Sequence, residues 1–386
     1  SNEKQKILIN NIPVHIYFKD INLRYILANN SYANLLGLTV NDIIGKTDDE
    51  ISNSEIAEFY QKLDRQVIET KKPIIDLLRE HEDPNGKKYW AKTSKMPYFG
   101  EDNKIKGVIG IVNDVTKQIE NEQKMKLQTE ILQNAHKDIT DSISYAKTIQ
   151  QALLPNKNII DKYFDDYFVF YKPKEAVSGD FYYLSEKDEY IIFAVADCTG
   201  HGVPGGFLTM LGITYLNDII KRNETDNVGK VLDILNKRIK SAFKYKSDNT
   251  NGLDIALCAI NRNTNVLQYA GAYNPLWIIR DNNLLEYRAT RKTIGVYFNE
   301  ANFNTNIIQL YDNDLIYLFS DGYRDQIGGK ENKKFLVKRF RKLLLDNHKL
   351  PMKEQEEVFN KTLKNWKGNN EQIDDITIMG IKWKIS

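Results

Sequence analysis

Apolar residues fall in short runs along the chain, and their spacing divides it into three stretches. Between residues 7 and about 115 the runs are Val14–Asp20, Tyr25–Asn30, Lys87–Phe99 and Lys106–Val115, mixed with helical spacing. Turn signals at Asp83-Pro84-Asn85-Gly86 and Gly100-Glu101-Asp102-Asn103 separate the last of them. Paired strands with helices to one side predict an α+β domain. From Thr116 to Gln151 there is no Gly and no Pro, and five Lys oppose five Asp or Glu. That predicts a long helix, solvated nearly all round. Leu132, His136, Ile139, Ile143, Ala146, Gln150 and Leu153 follow a four-three spacing, the seam of a coiled coil with polar members, and Pro155 ends it.

Beyond residue 160 the apolar runs become longer and purer: Asp166–Tyr171, Tyr190–Ala196, Leu253–Ile260, Val266–Gly271, Pro275–Arg280, Asp314–Ser320 and Asp375–Trp383. Helical spacing interrupts them at about Gly206–Lys221, Val228–Tyr245, Lys334–Leu345 and Met352–Trp366. Strands outnumber helices and several follow one another through short turns, which favours antiparallel sheets over a parallel βαβ sheet.

Composition narrows the function classes. The 386 residues are 41% apolar and 27% charged, ordinary for a globular protein, and 54 Lys plus Arg against 52 Asp plus Glu leave a net charge of +2. No global attraction to nucleic acid or to an anionic membrane is encoded. Two cysteines, Cys198 and Cys258, are too few for a disulfide framework and suit a reducing compartment. With no long apolar run and no leader pattern, the expectation is a cytoplasmic protein.

Acids recur at the ends of the apolar runs in the third stretch. Asp180 lies in Val177-Ser178-Gly179-Asp180-Phe181, Asp197 opens Asp197-Cys198-Thr199-Gly200-His201-Gly202, Asp321 follows Phe319-Ser320, and Asp374-Asp375 precede Ile376. Singly, each has an ordinary reading as a turn residue. Together, strand-end acids of one sheet can converge on one edge, where they repel unless cations lie between them. An all-oxygen donor set suits Mg²⁺, Mn²⁺ or Ca²⁺ rather than zinc.

Three rival chemistries are weaker. Gly200-His201-Gly202-Val203-Pro204-Gly205 has dinucleotide-binding spacing, but no second strand ending in an acid follows at the required distance, and Pro204 removes a needed N–H. Cysteine-based phosphate chemistry needs an Arg soon after the nucleophile, where Pro204 and Thr264 stand. His136 lies on a long helix as a phospho-acceptor would, yet no nucleotide-binding boxes follow it.

Six segments in order resemble the metal-dependent 2C-type serine/threonine phosphatases, in particular their SpoIIE-like branch. They are Ile149–Pro155, Ser178–Tyr182, Ala196–Gly202, Tyr269–Pro275, Phe319–Gly322 and Asp374–Thr377. The resemblance implies an αββα sandwich holding two ions, Mn²⁺ or Mg²⁺. Carried over by motif, Asp197 bridges both ions, the carbonyl of Cys198 ligates one, and Asp180, Asp321 and Asp374 complete the set. Asp197 and Asp321 are the implied catalytic pair. Asp375 is not taken as a ligand. Lys172 and Lys174 are candidates for a phosphate-binding cation, and His201 for a loop-holding or proton-donating role.

Residues 7–118 resemble a PAS sensor domain, through Tyr17–Asp20, Asn29–Ala33, Ile44–Thr47, the Trp90 strand and Val112–Lys117. Its ligand is unknown; the absence of Cys excludes a flavin-adduct photosensor, and His15 and His81 are weak grounds for haem. The expected organisation is therefore a PAS domain at 7–118, a helical linker at 119–155 and a phosphatase domain at 156–386. The expected activity is signal-regulated hydrolysis of phosphoserine or phosphothreonine in a partner protein, for which the resemblance points to a STAS-type anti-sigma-factor antagonist. The linker is expected to make a homodimer. The rival reading is a non-catalytic signalling module with a phosphatase-like domain.

Overall fold

The computed structural model describes residues 2–83, 85–222, 227–243, 251–296 and 302–385. The chain divides into two compact units, Ser1–His136 and Lys137–Ser386.

The first unit opens with helix α1 (Asn2–Asn11) and strands β1 (His15–Asp20) and β2 (Tyr25–Ala28). Helices α2 (Asn30–Leu35), α3 (Val40–Ile43) and α4 (Ser54–Thr70) follow, then strands β3 (Ile74–Glu82), β4 (Lys88–Phe99) and β5 (Ile105–Asp114). The strands form one antiparallel sheet in the order β2-β1-β5-β4-β3. Asn29 caps α2 and Asn53 caps α4 through side-chain oxygens, meeting backbone N–H groups that a helix start leaves unpaired. Tyr17, Tyr25, Tyr32 and Ile43 form the core. Beneath the sheet lies a buried ion network: Lys19 Nζ donates to Asp48 (2.5 Å) and Asp64 (2.7 Å), and Lys95 donates to Asp64.

Helix α5 (Thr116–Leu153) is exposed along almost its whole length, as its polar pattern predicts. Leu132 and Ile139, two of the seam residues, lie open to solvent. Gln150 differs from the expectation: it is buried, against the second unit's own loop rather than along an open seam.

The second unit runs α6 (Lys157–Asp161), β6 (Asp166–Lys172), β7 (Asp180–Lys187), β8 (Tyr190–Cys198), α7 (Gly202–Lys221), α8 (Val228–Ala242), β9 (Leu253–Asn261), β10 (Val266–Ala272), β11 (Leu276–Arg280) and β12 (Asn283–Tyr287). It closes with β13 (Asn306–Gln309), β14 (Leu315–Phe319), α9 (Gly322–Asp325), a small ladder of β15 (Ile327–Gly328) and β16 (Lys333–Lys334), α10 (Leu336–Asn347), α11 (Met352–Lys367) and β17 (Ile376–Lys382). Two antiparallel sheets result, β13-β10-β9-β8-β7 and β12-β11-β14-β17-β6.

The pure apolar runs now have a reason. Alternate residues of a strand point to opposite faces, and here both faces are covered. Phe193 and Val195 of β8 point between the sheets with Ile316, Leu318 and Met379. Their neighbours Ala194 and Ala196 face α7 and α8. On the other sheet, Tyr317 and Phe319 face α10 and α11, meeting Phe340 and Phe359. The layers are α, β, β, α, as the resemblance implies. The strands at Asn283–Tyr287 and Asn306–Gln309 lie outside the predicted runs, because both are edge strands with exposed positions.

Candidate metal centre

Antiparallel pairing decides where the acids meet. Asp180 begins β7 and Asp197 nearly ends β8, so the two stand opposite each other in the ladder. On the next strand Asp254, second residue of β9, stands opposite Asp197. In the other sheet, Asp321 follows the end of β14, and Asp374 and Asp375 precede the start of its neighbour β17, again at one edge. The two edges are joined directly. Ser320 Oγ donates to Asp180 Oδ2 (2.5 Å), and Gly179 N donates to Asp375 Oδ2 (2.7 Å).

The electrostatics record this convergence. Burial is the largest influence raising the Asp197 carboxyl well above the usual range, and the charges of Asp180, Asp321, Asp374 and Asp254 add to it. Burial likewise raises Asp180 well above that range; the Ser320 hydroxyl opposes the shift and the Asp375 charge adds to it. Asp374 is raised by burial, lowered by the Asp375 N–H at 2.9 Å, raised by Asp321 and Asp375, and lowered by Lys174. Buried carboxylates without a matched cation are costly, since desolvation and mutual repulsion act together.

Asp254 is the residue that sequence reasoning missed. Burial pushes its carboxyl up to about 6, and its Oδ1 is buried without a hydrogen-bond partner. The signal was present, as an acid at the head of an otherwise apolar strand, Leu253-Asp254-Ile255. Its depth became legible only through its register with Asp197.

The loop carrying Asp180 is packed without slack. A Cβ on Gly179 would overlap the Gly200 carbonyl oxygen and approach that of Cys198 to 3.0 Å. Gly205 has the same constraint, its Cβ position lying 2.9 Å from Gly179 Cα and overlapping the Gly200 carbonyl. Gly179 and Gly205, the latter closing the Gly200–Gly205 motif in the first turn of α7, therefore serve close packing of the Asp180 turn against the start of that helix. Cys198 donates its N–H to Gly179 O (3.0 Å). Its thiol is buried, accepts a long contact from Thr209 Oγ1 (3.7 Å), and is raised well above its ordinary value by burial. Such a thiol is a poor nucleophile.

The remaining candidates separate. Lys172 Nζ donates to Asn360 Oδ1 (2.6 Å), whereas Lys174 is close enough to influence Asp374. His201 Nδ1 lies 2.6 Å from Glu175 Oε1, both side chains about half exposed, and so ties the start of α7 to the loop before β7. Asp375 holds two backbones at once, accepting from Gly179 N and from Lys174 N, each at 2.7 Å.

Among the described residues, no three His, Cys, Asp or Glu side chains are gathered tightly enough to enclose one ion as they stand. The fit lies in the chemistry of the donors: hard carboxylate oxygens, an unpartnered buried oxygen on Asp254, and an excess of buried negative charge.

Residues 187–384, just over half of the chain, match the Stage II sporulation protein E (SpoIIE) family. The chain belongs to the SpoIIE family. Residues 9–120 match the PAS fold, so this SpoIIE-family chain carries a PAS domain before its phosphatase-type domain. It is 31% identical to the SiaA PP2C domain of Pseudomonas aeruginosa, over 65% of this chain and 99% of that one, with a TM-score of 0.59. The VqmA dimer of Vibrio cholerae matches 30% of this chain and 52% of its own at 32% identity, TM-score 0.28. The PP2C domain of Bacillus subtilis SpoIIE, with a fragment of its regulatory domain, matches 57% of this chain and 63% of its own at 17% identity, TM-score 0.45. No curated protein sequence matches the chain significantly. Among the described residues, no helix is long and apolar enough to cross a membrane.

The PAS domain of the SpoIIE-family chain has a cavity of about 500 Å³ lined by Tyr17, Tyr25, Tyr32, Tyr60, His81 and Tyr89 among others. The Tyr25 and Tyr32 hydroxyls are 2.8 Å apart, and Tyr25 donates to Asp48 Oδ1 (2.7 Å). His81 stacks on Tyr60 and Tyr89, and burial followed by the charge of Arg79 lowers its affinity for a proton. His15 instead pairs with Ser31 (2.9 Å).

Proposed function

We propose that this chain is a metal-dependent protein phosphatase that removes phosphate from Ser or Thr of a partner protein, under control of its PAS domain. The observation that carries the reading is the convergence of Asp180, Asp197, Asp321 and Asp374 on the common edge of two sheets, with burial and mutual repulsion unbalanced. When bound by Asp180, Asp197, the Cys198 carbonyl, Asp321 and Asp374, two Mn²⁺ or Mg²⁺ ions supply charge neutralisation at the phosphoryl oxygens and an activated water.

The chain's own residues do the rest. Asp197 and Asp321, on different sheets, hold the two sides of the centre. Asp254 adds negative charge behind Asp197. Lys174, whose charge reaches Asp374, draws a phosphate anion inward. Glu175 and His201 keep the neighbouring loops together. The buried Cys198 thiol contributes no nucleophile, in keeping with direct attack by water. The SpoIIE resemblance points to a small phosphorylated STAS-type antagonist as the partner.

The cavity of the PAS domain supports a sensing role. Asp48 in its lining already accepts from Lys19 and from Tyr25, and the surrounding tyrosine rings suit a small aromatic molecule able to stack on them. The exposed Leu132 and Ile139 of α5 support pairing with a second copy, which would bury them. Hydrolysis of p-nitrophenyl phosphate with and without Mn²⁺ tests the activity. A chain that binds a phosphorylated partner yet never hydrolyses it would instead favour the non-catalytic module.

A further inference from the structure

We propose that Gln150, in the last turn of the linker helix, is a positioning residue for the acid cluster: it fixes the main chain of Ser178 and through it Asp180. The inference rests on the metal-site reading given above and adds a residue from outside the strand-end acids.

The observation begins with an exception. Helix α5 is exposed nearly throughout, and Gln150 is its one fully buried residue. A primary amide carries both a donor and an acceptor, and here both meet one residue. Gln150 Nε2 donates to Ser178 O (2.6 Å), and Gln150 Oε1 accepts from Ser178 N (3.0 Å). The amide thus reads the Ser178 backbone as a neighbouring strand would. Two residues on is Asp180.

Three consecutive backbone N–H groups of this turn then have three different anchors. Ser178 N is held by Gln150, Gly179 N by Asp375, and Asp180 N by Ser178 Oγ (3.0 Å). Thr209 Oγ1 of α7 reaches the carbonyls of Ser178 (3.0 Å) and Gly179 (2.9 Å). Asp375 ties the turn to β17 and Thr209 ties it to α7, whereas Gln150 ties it to the linker. Helix α7 also packs closely on the residue before Ser178: a Cβ on Gly206 would lie 3.1 Å from Val177 Cβ, and in ordinary contact, 3.6 Å, with Gln150 Nε2. A shift of the last turn of α5 would therefore pull on Ser178 before any other part of the turn. Groups behind metal ligands typically change metal affinity about 10- to 100-fold when removed.

The test uses the full chain with Gln150→Leu, Gln150→Asn and the exposed neighbour Gln151→Leu. Amide exchange across residues 177–180 is measured without metal, and Mn²⁺ binding by titration calorimetry. Gln150→Leu keeps the volume but loses both bonds. It should speed exchange at Ser178 about tenfold or more and weaken Mn²⁺ binding about tenfold. Gln150→Asn keeps the amide but is one methylene short, so it should fall between parent and Leu, and it preserves the test if the Leu variant fails to fold. Gln151→Leu should match the parent in both. Unchanged exchange in Gln150→Leu, or faster exchange with unchanged Mn²⁺ affinity, overturns the proposal. If the parent itself binds no Mn²⁺, the metal-site reading fails, and the exchange result alone decides whether Gln150 holds the turn.

Discussion

Asp180 and Asp197 stand opposite each other across the β7–β8 ladder, the first buried and the second half-buried, and neither has an ion-paired lysine or arginine among the described side chains. Like charges on facing positions of a sheet destabilise it. The metal-free protein therefore carries a built-in repulsion that cations at the site would relieve.

That repulsion gives the first prediction. Asp197→Asn removes one charge with almost no change of volume, so the metal-free protein should melt at a higher temperature than the parent. Added Mn²⁺ should raise the melting temperature of the parent more than that of the variant. Thermal unfolding with and without Mn²⁺ checks both directions; a variant less stable than the parent in the absence of metal would show that Asp197 is stabilised by its neighbours.

Asp375 should matter although it is assigned no ion. Asp375→Ala leaves the buried N–H of Gly179 and that of Lys174 without their acceptor. Each unmet buried donor costs about 1–3 kcal/mol, and activity should drop about 10- to 100-fold as Asp180 loses its support. Asp375→Asn keeps one acceptor and should lie between. Denaturant unfolding and steady-state kinetics on the two variants read the two effects separately.

The ion network of the PAS domain predicts a pH dependence. Burial lowers Lys95 from 10.5 to about 8, against the opposing pull of Asp64. Below about pH 8 both folded and unfolded chains keep this proton. Between about 8 and 10.5 the unfolded chain holds it more often, so raising the pH through this window favours the folded state. Relative to Lys95→Met, the parent should gain on the order of 2–3 kcal/mol of stability across it. Urea unfolding of both proteins at a series of alkaline pH values measures the difference, and a parent that loses ground on the variant as pH rises would contradict the assignment.

Ile139→Asp with Ile143→Asp should place like charges along the linker seam and convert dimers to monomers, with an altered phosphatase rate. Light scattering at tens of micromolar gives the mass. A monomeric parent, or a double variant that keeps both mass and rate, would leave α5 a plain spacer.

Much of this fold was legible from the pattern. The buried strands of the second unit announced themselves because both of their faces are covered, which makes the runs of Ile191–Ala196 and Ile255–Ile260 almost purely apolar. Asp180, Asp197, Asp321 and Asp374 stood out because they interrupt such runs at their ends. Asp254 sits inside the start of a strand, so its place in the cluster depends on strand register, which local sequence does not specify. Gln150 was read as a seam position because heptad spacing cannot tell which partner buries a residue. Asp375 was legible as a neighbour of Asp374, but its two backbone partners lie about two hundred positions away in the chain.

The central claim is that the converging acids form a metal-dependent phosphatase centre. The most direct measurement is phosphate release from a phosphoserine protein by the full chain, with and without Mn²⁺, set beside Asp197→Asn and Cys198→Ala. The account predicts release that requires Mn²⁺, is abolished in Asp197→Asn while the fold persists, and is largely kept in Cys198→Ala. Near-native release by Asp197→Asn, or its loss in Cys198→Ala with the fold intact, would contradict it.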